Sequence, residues 1–550
     1  MTSKPSSRVI SRQRIFPAAF PPAEQATVTR LSIVDASVAR FSTCAAVWLY
    51  NPAQASQDST LRHERLRQAL SETLDDYRHF AGQLRWATRD DIPPGDPNPR
   101  HVGRPLVSYG TPADPGVELV YADLDRRLGE VVPSAEDRRT SGKTWAATDF
   151  PQDELLPSRC RLAFTSSLAE FDGLPGVAVQ LTRFGCGGWA VGVMMSHCLA
   201  DAVCLLRFVH SWAARSRARV TGGEPAAPGN TLPKPLFEPG LLDQHAGLTG
   251  SPEPDADKVA LARSLPMHRY DWWATDAPGY PSWATASSDA TKPQGREEMG
   301  KLSPSSFPPW PTWDMSAPVE HVQIRFGADE VARIKQAAQA TLPDEQQQQQ
   351  QQPPISRLDA LLAHMWILIN RARGHHTTQE QVYLDVTLGL RGRVSPPLPD
   401  SFAGSPILLG HVSRRGSDVA GAVDGTGTGL GAIALEIRRM TALFTPRAVA
   451  AYLHDAAHEV SPQRLWQAFL GGRHTLVTSW VRAGAYEVDF CGGAGGTRPV
   501  YVQGKMPRMD GVLQVMDVGD ETGGFDVSLC LEGEAMGRLL GDGLLRKYER

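Results

Sequence analysis

No apolar run in the chain reaches the roughly 18–20 residues that a helix needs to cross a bilayer, so no membrane partner is expected. Charge of one sign is not in excess either. The 56 Lys and Arg against 60 Asp and Glu leave a formal net charge of -4 over 550 residues. That balance excludes the broad basic footprint of a nucleic-acid binder. Cysteine is sparse, with seven residues at 44, 160, 186, 198, 204, 491 and 530. Their odd number, the lack of any C-x-x-C and their apolar neighbours point to reduced thiols in a cytoplasmic protein. The first residues, MTSKPSSRVISRQRIFPAAFPP, lack the apolar stretch of a signal peptide, although a basic, acid-free segment also suits a transit peptide. No G-x-S-x-G elbow and no phosphate loop occur. CGGAGG at 491–496 lacks the Gly-Lys-Ser/Thr of a P-loop and reads as a turn.

What is present suggests α/β structure twice over. A length of 550 residues suits two or three domains. The first block spans about 24–215. Ala45–Tyr50 reads as a strand, and Leu66, Leu70, Leu74 and Tyr77 fall at helical spacing before Gly82. GVAVQLTRF, GCGG and WAVGVMMSH then read as strand, glycine turn, strand. Residues 216–317 are crowded with Pro, Gly, Ser and isolated Trp, and read as a long crossover with ordered contacts anchored by Trp. The second block, 318–550, opens with the alternating VEHVQIRF and carries a glutamine insertion at 346–352. In it, SRLDALLAHMWILINRAR predicts a helix capped by Ser356 with Asp359 in capping-box spacing.

Chemistry is concentrated in WAVGVMMSHCLADAVCLLRF. His197 follows the end of a predicted strand, where α/β folds tend to place chemistry, and imidazole titrates near neutral pH as a general base requires. Asp201, four residues on, either orients the imidazole or turns away to pin the loop through an arginine. The bland alternative is a core histidine beside a helix cap. His197, Cys198 and Asp201 lack zinc-site spacing, and no metal or bound cofactor is expected. Asp489 reads more readily as a structural carboxylate than as a catalyst. Arg498, Lys505 and Arg508 read as a solvated face or as partners for phosphate.

Several segments, in order, resemble the BAHD family of CoA-dependent acyltransferases. SHCLADA resembles H-x-x-x-D-G, with Ala202 for Gly. LSIVDASVARF resembles the opening strand, and LRQALSETLDDYRHFAGQL the helix that follows it. LTRFGCGGWAVGVMMSH, SRLDALLAHMWILINRAR, LGLRGRVSPPLPDSFAGSPI and VTSWVRAGAYEVDFCGGAG resemble further family segments, with Phe402 for Tyr, Ser405 for Asn, Cys491 for Gly and Gly492 for Trp. The insertions look more like fungal members than plant ones.

The resemblance implies an α/β fold of two chloramphenicol-acetyltransferase-like domains, mixed β-sheets with flanking helices, with a tunnel at their interface. It implies acyl transfer from acyl-CoA as co-substrate to a hydroxyl or amine of a small-molecule acceptor, in specialised metabolism, by a monomer. His197 would be the general base, and Asp201 would be structural, paired with Arg391. Thr478 and Trp480 would hold the oxyanion and shape the tunnel, and Asp489 would be a structural residue. A carrier-protein donor and a non-catalytic binder remain as alternatives. The first is disfavoured because Ser196 stands where such enzymes have a second histidine.

Overall fold

The computed structural model describes residues 7–549, apart from 20–23, 53–58, 92–102, 165–170, 221–231, 291, 293–301, 343–353, 423–428, 492–496 and 521–522. The glutamine insertion, Gly492 and Gly493 therefore lie outside the described residues.

Two large mixed sheets form the framework. Strands are numbered in chain order; β2 (Thr27–Arg30), β5 (Pro105–Tyr109) and β4 (Gln83–Trp86) form a small separate sheet, and β10 (Tyr270–Asp271) pairs with β14 (Leu465–Trp466). The first sheet runs, in spatial order, β1 (Arg8–Ile15), β6 (Val117–Leu124), β8 (Val177–Phe184), β9 (Trp189–Met195), β3 (Cys44–Tyr50) and β16 (Tyr501–Gly504). The second runs β13 (Ile407–Arg415), β12 (Gln381–Gly389), β15 (His474–Ser479), β17 (Val512–Asp517), β18 (Phe525–Glu532), β11 (Val319–Phe326) and β7 (Thr144–Ala146). The first sheet thus begins at Arg8, upstream of residue 24. The sheets also exchange strands: β16 pairs with β3 antiparallel, and β7 pairs with β11.

Strand β9 sits between β8 and β3 and is buried along its whole length. An unbroken apolar run is what a strand covered on both faces requires. The glycine turn before it places Gly187 at a φ of +83°, a region that suits glycine. Against the sheet lies the helix Ala202–Val220, which buries Leu205, Phe208, Val209 and Trp212 and ends in Arg217 and Arg219. Burying each large apolar side chain contributes about 1.5–3 kcal/mol. In the second half, Arg357–Ala372 is almost wholly buried and starts from the capping box of Ser356 and Asp359.

Two local expectations change. LSIVDASVARF is not a strand. Ser32 accepts from the Asp35 amide, Asp35 accepts from Ser32, and the closed box starts the short helix Ile33–Ser37. The crossover holds more regular structure than its composition suggested, including helices Ala256–Ser264 and Ser282–Ala290. Its Trp272, Trp273 and Trp310 are buried, and Trp272 and Trp310 pack with Trp466 and Phe469.

Candidate active site

Strand β9 ends at Met195, and the chain turns there. Ser196 donates its hydroxyl to the Ala163 carbonyl at 2.6 Å, and its amide bonds the Gly176 carbonyl. The next side chain, His197, is presented into a cavity of about 470 Å3. Asp201 closes the turn. Its Oδ1 accepts from the Cys204 amide at 2.9 Å, so it caps the following helix. Ala202 opens that helix with φ below zero; among the described residues other than glycine, positive φ occurs only at Phe164 and Arg482.

Asp201 does not hold the imidazole. Arg391 grips it with two hydrogen bonds, Nη1 to Oδ2 at 2.6 Å and Nη2 to Oδ1 at 3.1 Å, and Nη2 also donates to the Phe402 carbonyl at 2.9 Å. Both residues are buried. The Asp201 amide donates to the Gly404 carbonyl. Residues 402–404 are thus tied to the histidine turn directly, by the Asp201–Gly404 bond, and through Arg391, by its bond to the Phe402 carbonyl.

The imidazole partner is Ser405, whose Oγ lies 3.0 Å from His197 Nδ1. If Nδ1 donates, the lone pair stays on Nε2. Ser405 is held in turn by Asp35, whose Oδ1 accepts the Ser405 amide at 2.6 Å. Gly404 takes a φ of +148°, and a Cβ there would stand 3.1 Å from the Asp35 carboxylate. Glycine is therefore what the approach requires. Burial pushes the Asp35 carboxyl up to about 6, against the pull of its hydrogen bonds from Ser32 and Ser405. Phe41 meets the His197 ring edge-on at 5.8 Å. The exposed edge of the imidazole faces the cavity and is otherwise enclosed by protein. Burial consequently lowers its pKa, partly offset by a hydrogen bond to its own backbone and by the Asp201 charge.

Thr478 and Trp480, on and just beyond β15, line the same cavity as His197. So do Trp272, Trp283, Trp310 and Trp313 of the crossover, and Trp466. The walls come from both halves and from the crossover.

Asp489 stands apart from this cavity. It is half-buried, accepts the Cys491 amide at 2.9 Å, and its carbonyl takes a hydrogen bond from Arg217. Neighbouring Phe490 is buried against Tyr50, Trp189 and Trp212. The segment stitches the second half onto the first sheet. Lys505 lines the cavity and donates to Thr43 Oγ1 at 2.8 Å, whereas Arg498 and Arg508 are exposed.

Spacing and resemblance pointed to His197, Asp201, Arg391, Thr478 and Trp480, and the fold brings all five to one region. Sequence reasoning missed the work of Asp35 and Ser405. The available signals were the Ser32–Asp35 capping spacing and a polar residue, Ser405, at a position where the resemblance carries another polar residue.

The chain resembles known proteins in sequence and in fold. The sequence profile of a family described as the Transferase family matches residues 7–92, 149–235 and 317–542. Acyltransferase AFT15-1 of Alternaria alternata is 25% identical, over 81% of this chain and 78% of its own length. Hydroxycinnamoyl-CoA:5-hydroxyanthranilate N-hydroxycinnamoyltransferase HHT4 of Avena sativa is also 25% identical, over 95% and 96%. Among solved structures, F. sporotrichioides TRI101 complexed with coenzyme A and T-2 superposes with a TM-score of 0.61 at 16% identity, covering 95% of this chain and 99% of that one. Vinorine synthase gives 0.55 at 17%, covering 97% and 98%. These likenesses establish the fold: two halves of the chloramphenicol-acetyltransferase type.

Proposed function

Because the chain belongs to the Transferase family of BAHD-type acyltransferases, we propose that it moves an acyl group from acyl-CoA to the hydroxyl of a small molecule, with His197 as general base. The carrying observation is that His197 opens onto a cavity shared with Thr478 and Trp480, with its Nδ1 already engaged by Ser405.

The step is direct. His197 Nε2 takes the proton of the acceptor hydroxyl as its oxygen attacks the thioester carbonyl. The carbonyl oxygen becomes an oxyanion, which the Thr478 hydroxyl stabilises; one such donor is worth about 3–4 kcal/mol of barrier. Trp480 shapes the tunnel wall. The tetrahedral adduct collapses, the C–S bond breaks, and the imidazolium returns its proton to the leaving CoA thiolate. No acyl-enzyme forms. An amine acceptor would follow the same path. Ser196 supplies no second base, since its hydroxyl is committed to the Ala163 carbonyl.

In this reading Asp201 and Arg391 keep the turn in place and Asp489 serves folding. The division into 24–215, 216–317 and 318–550, a monomeric state, a cytoplasmic location and a role in specialised metabolism belong to the same proposal. In support, no helix among the described residues is long and apolar enough to cross a membrane.

The test is CoA release from a series of acyl-CoAs with a panel of alcohols and amines, and acyl adducts identified by mass. His197→Ala should cut transfer about a hundredfold or more while leaving the melting temperature in place. A variant that keeps more than roughly a tenth of wild-type turnover overturns the mechanism.

A further inference from the structure

A second cluster of ligand-type side chains lies outside the cavity lining. His268 comes from the crossover, Asp385 from β12 and His474 from the start of β15, and all three are buried, Asp385 completely. His268 Nε2 stands 3.0 Å from Asp385 Oδ1, and His474 Nδ1 stands 3.1 Å from Asp385 Oδ2. One ligand atom from each of the three residues falls within 4.8 Å of the others.

Three features separate this cluster from an ordinary buried ion pair. No lysine or arginine among the described residues pairs with Asp385, so its buried charge is faced by imidazoles alone. A buried carboxylate without a cation is costly. His268 Nε2 and Asp385 Oδ1 are close but misaligned, and neither has a hydrogen bond. A third buried atom beside them, Nδ1 of His411, also lacks one; the His411 ring stacks on His268 with centroids 4.2 Å apart.

We propose that His268, Asp385 and His474 bind a divalent transition-metal ion of the zinc class. Two imidazole nitrogens and a carboxylate are a donor set that zinc accepts. Bonds of about 2.0–2.2 Å to a tetrahedral ion hold ligand atoms roughly 3.3 Å apart; each imidazole nitrogen stands near that distance from one Asp385 oxygen, His268 from Oδ1 and His474 from Oδ2, and one ligand atom from each residue lies within 4.8 Å of the others. A water molecule would complete a four-coordinate set, with His411 stacked against the His268 ligand rather than part of it. No motif spacing marks the site, because its ligands come from three distant segments.

The ion's place in the fold assigns it a structural task. Residues alternate along a strand, so Asp385 shares a sheet face with Thr387, and His474 shares one with Leu476 and Thr478. Thr387, Leu476 and Thr478 line the cavity. The ion therefore clamps the crossover onto the same sheet face that floors the cavity, four residues before the tryptophan Trp272. This inference stands independently of the acyl-transfer reading, and its test uses no turnover.

The full-length protein is purified without chelator and its metal content measured by mass spectrometry. Dialysed protein is then titrated with Zn2+ and, separately, Co2+. The result expected is about one zinc per chain, a Zn2+-dependent rise in melting temperature, and a visible Co2+ absorption band of the tetrahedral type. Asp385→Asn and His268→Gln, each checked for a native circular-dichroism spectrum, should lose both zinc and band. His411→Gln, beside the ligand set, serves as a milder companion if either variant fails to fold, and should weaken zinc binding. Wild-type protein with less than about a tenth of an ion per chain and no response to added Zn2+ overturns the proposal. So does zinc bound equally well by folded Asp385→Asn and His268→Gln.

Discussion

At the scale of single residues, the distinctive feature is that the proposed base and its neighbouring acid do different jobs. Asp201 is spent on Arg391 and on the helix cap, and the Ser405 hydroxyl, not Asp201, meets the imidazole. Ser405→Ala should lower kcat about tenfold with little change in KM for acyl-CoA, the scale of one lost positioning hydrogen bond. Ser405→Thr should restore much of it. Burial holds the His197 pKa below the ordinary 6.5. The base works when neutral, so activity falls as pH drops through this lowered value. The acid limb of kcat/KM is thus expected below about 6.5, and a limb above it would contradict the enclosure seen here. The sign for stability is the same. The native state binds this proton less readily than the unfolded chain, so its contribution is lost as pH falls below the unfolded value. His197 and Asp201 were legible because four residues hold the whole signal. Asp35 and Ser405 were not, since the hydrogen bond between them spans 370 residues and the Ser32–Asp35 capping spacing announces only a helix start.

At the scale of elements, the turn between β9 and the helix Ala202–Val220 depends on two separable properties of Asp201: its capping oxygen and its charge. Asp201→Asn keeps a good cap and removes the charge. It leaves the buried Arg391 guanidinium without its counter-ion, which costs about 3–5 kcal/mol. Urea unfolding followed by circular dichroism measures this. A loss below about 1 kcal/mol would mean that the pair does not hold 402–404 against the turn. The strong elements here announced themselves through period and caps, as in the box of Ser356 and Asp359. The short ones did not. Ile33–Ser37 is only five residues long and is set by its capping box against an otherwise strand-like run. The helices of the crossover are short, with weak apolar stripes, and are held by tertiary packing more than by propensity: Ser282–Ala290 through Ala284 against Trp272 and Trp310, and Ala256–Ser264 against the helix Pro446–Ala457.

At the scale of the whole molecule, the two sheets are not independent. β7 leaves the first half to join the second sheet, and β16 leaves the second half to join the first. Neither exchange was visible in the sequence, because strands of three and four residues carry too little pattern to name their partners. Lys505, Met506 and Pro507 follow β16 directly and line the cavity, so the strand that locks the halves together also delivers part of the cavity wall. A tunnel built from both halves should be present before ligand arrives, and CoA binding should then stabilise the molecule as one unit.

That expectation can be read without knowing the acceptor. The melting temperature of the purified protein is measured against increasing CoA, acetyl-CoA and longer acyl-CoAs, for wild type and His197→Ala. A concentration-dependent rise is expected for both proteins, since the proposed role of the histidine is in chemistry rather than binding. No rise with any of these ligands at millimolar concentration would contradict an acyl-CoA-dependent enzyme.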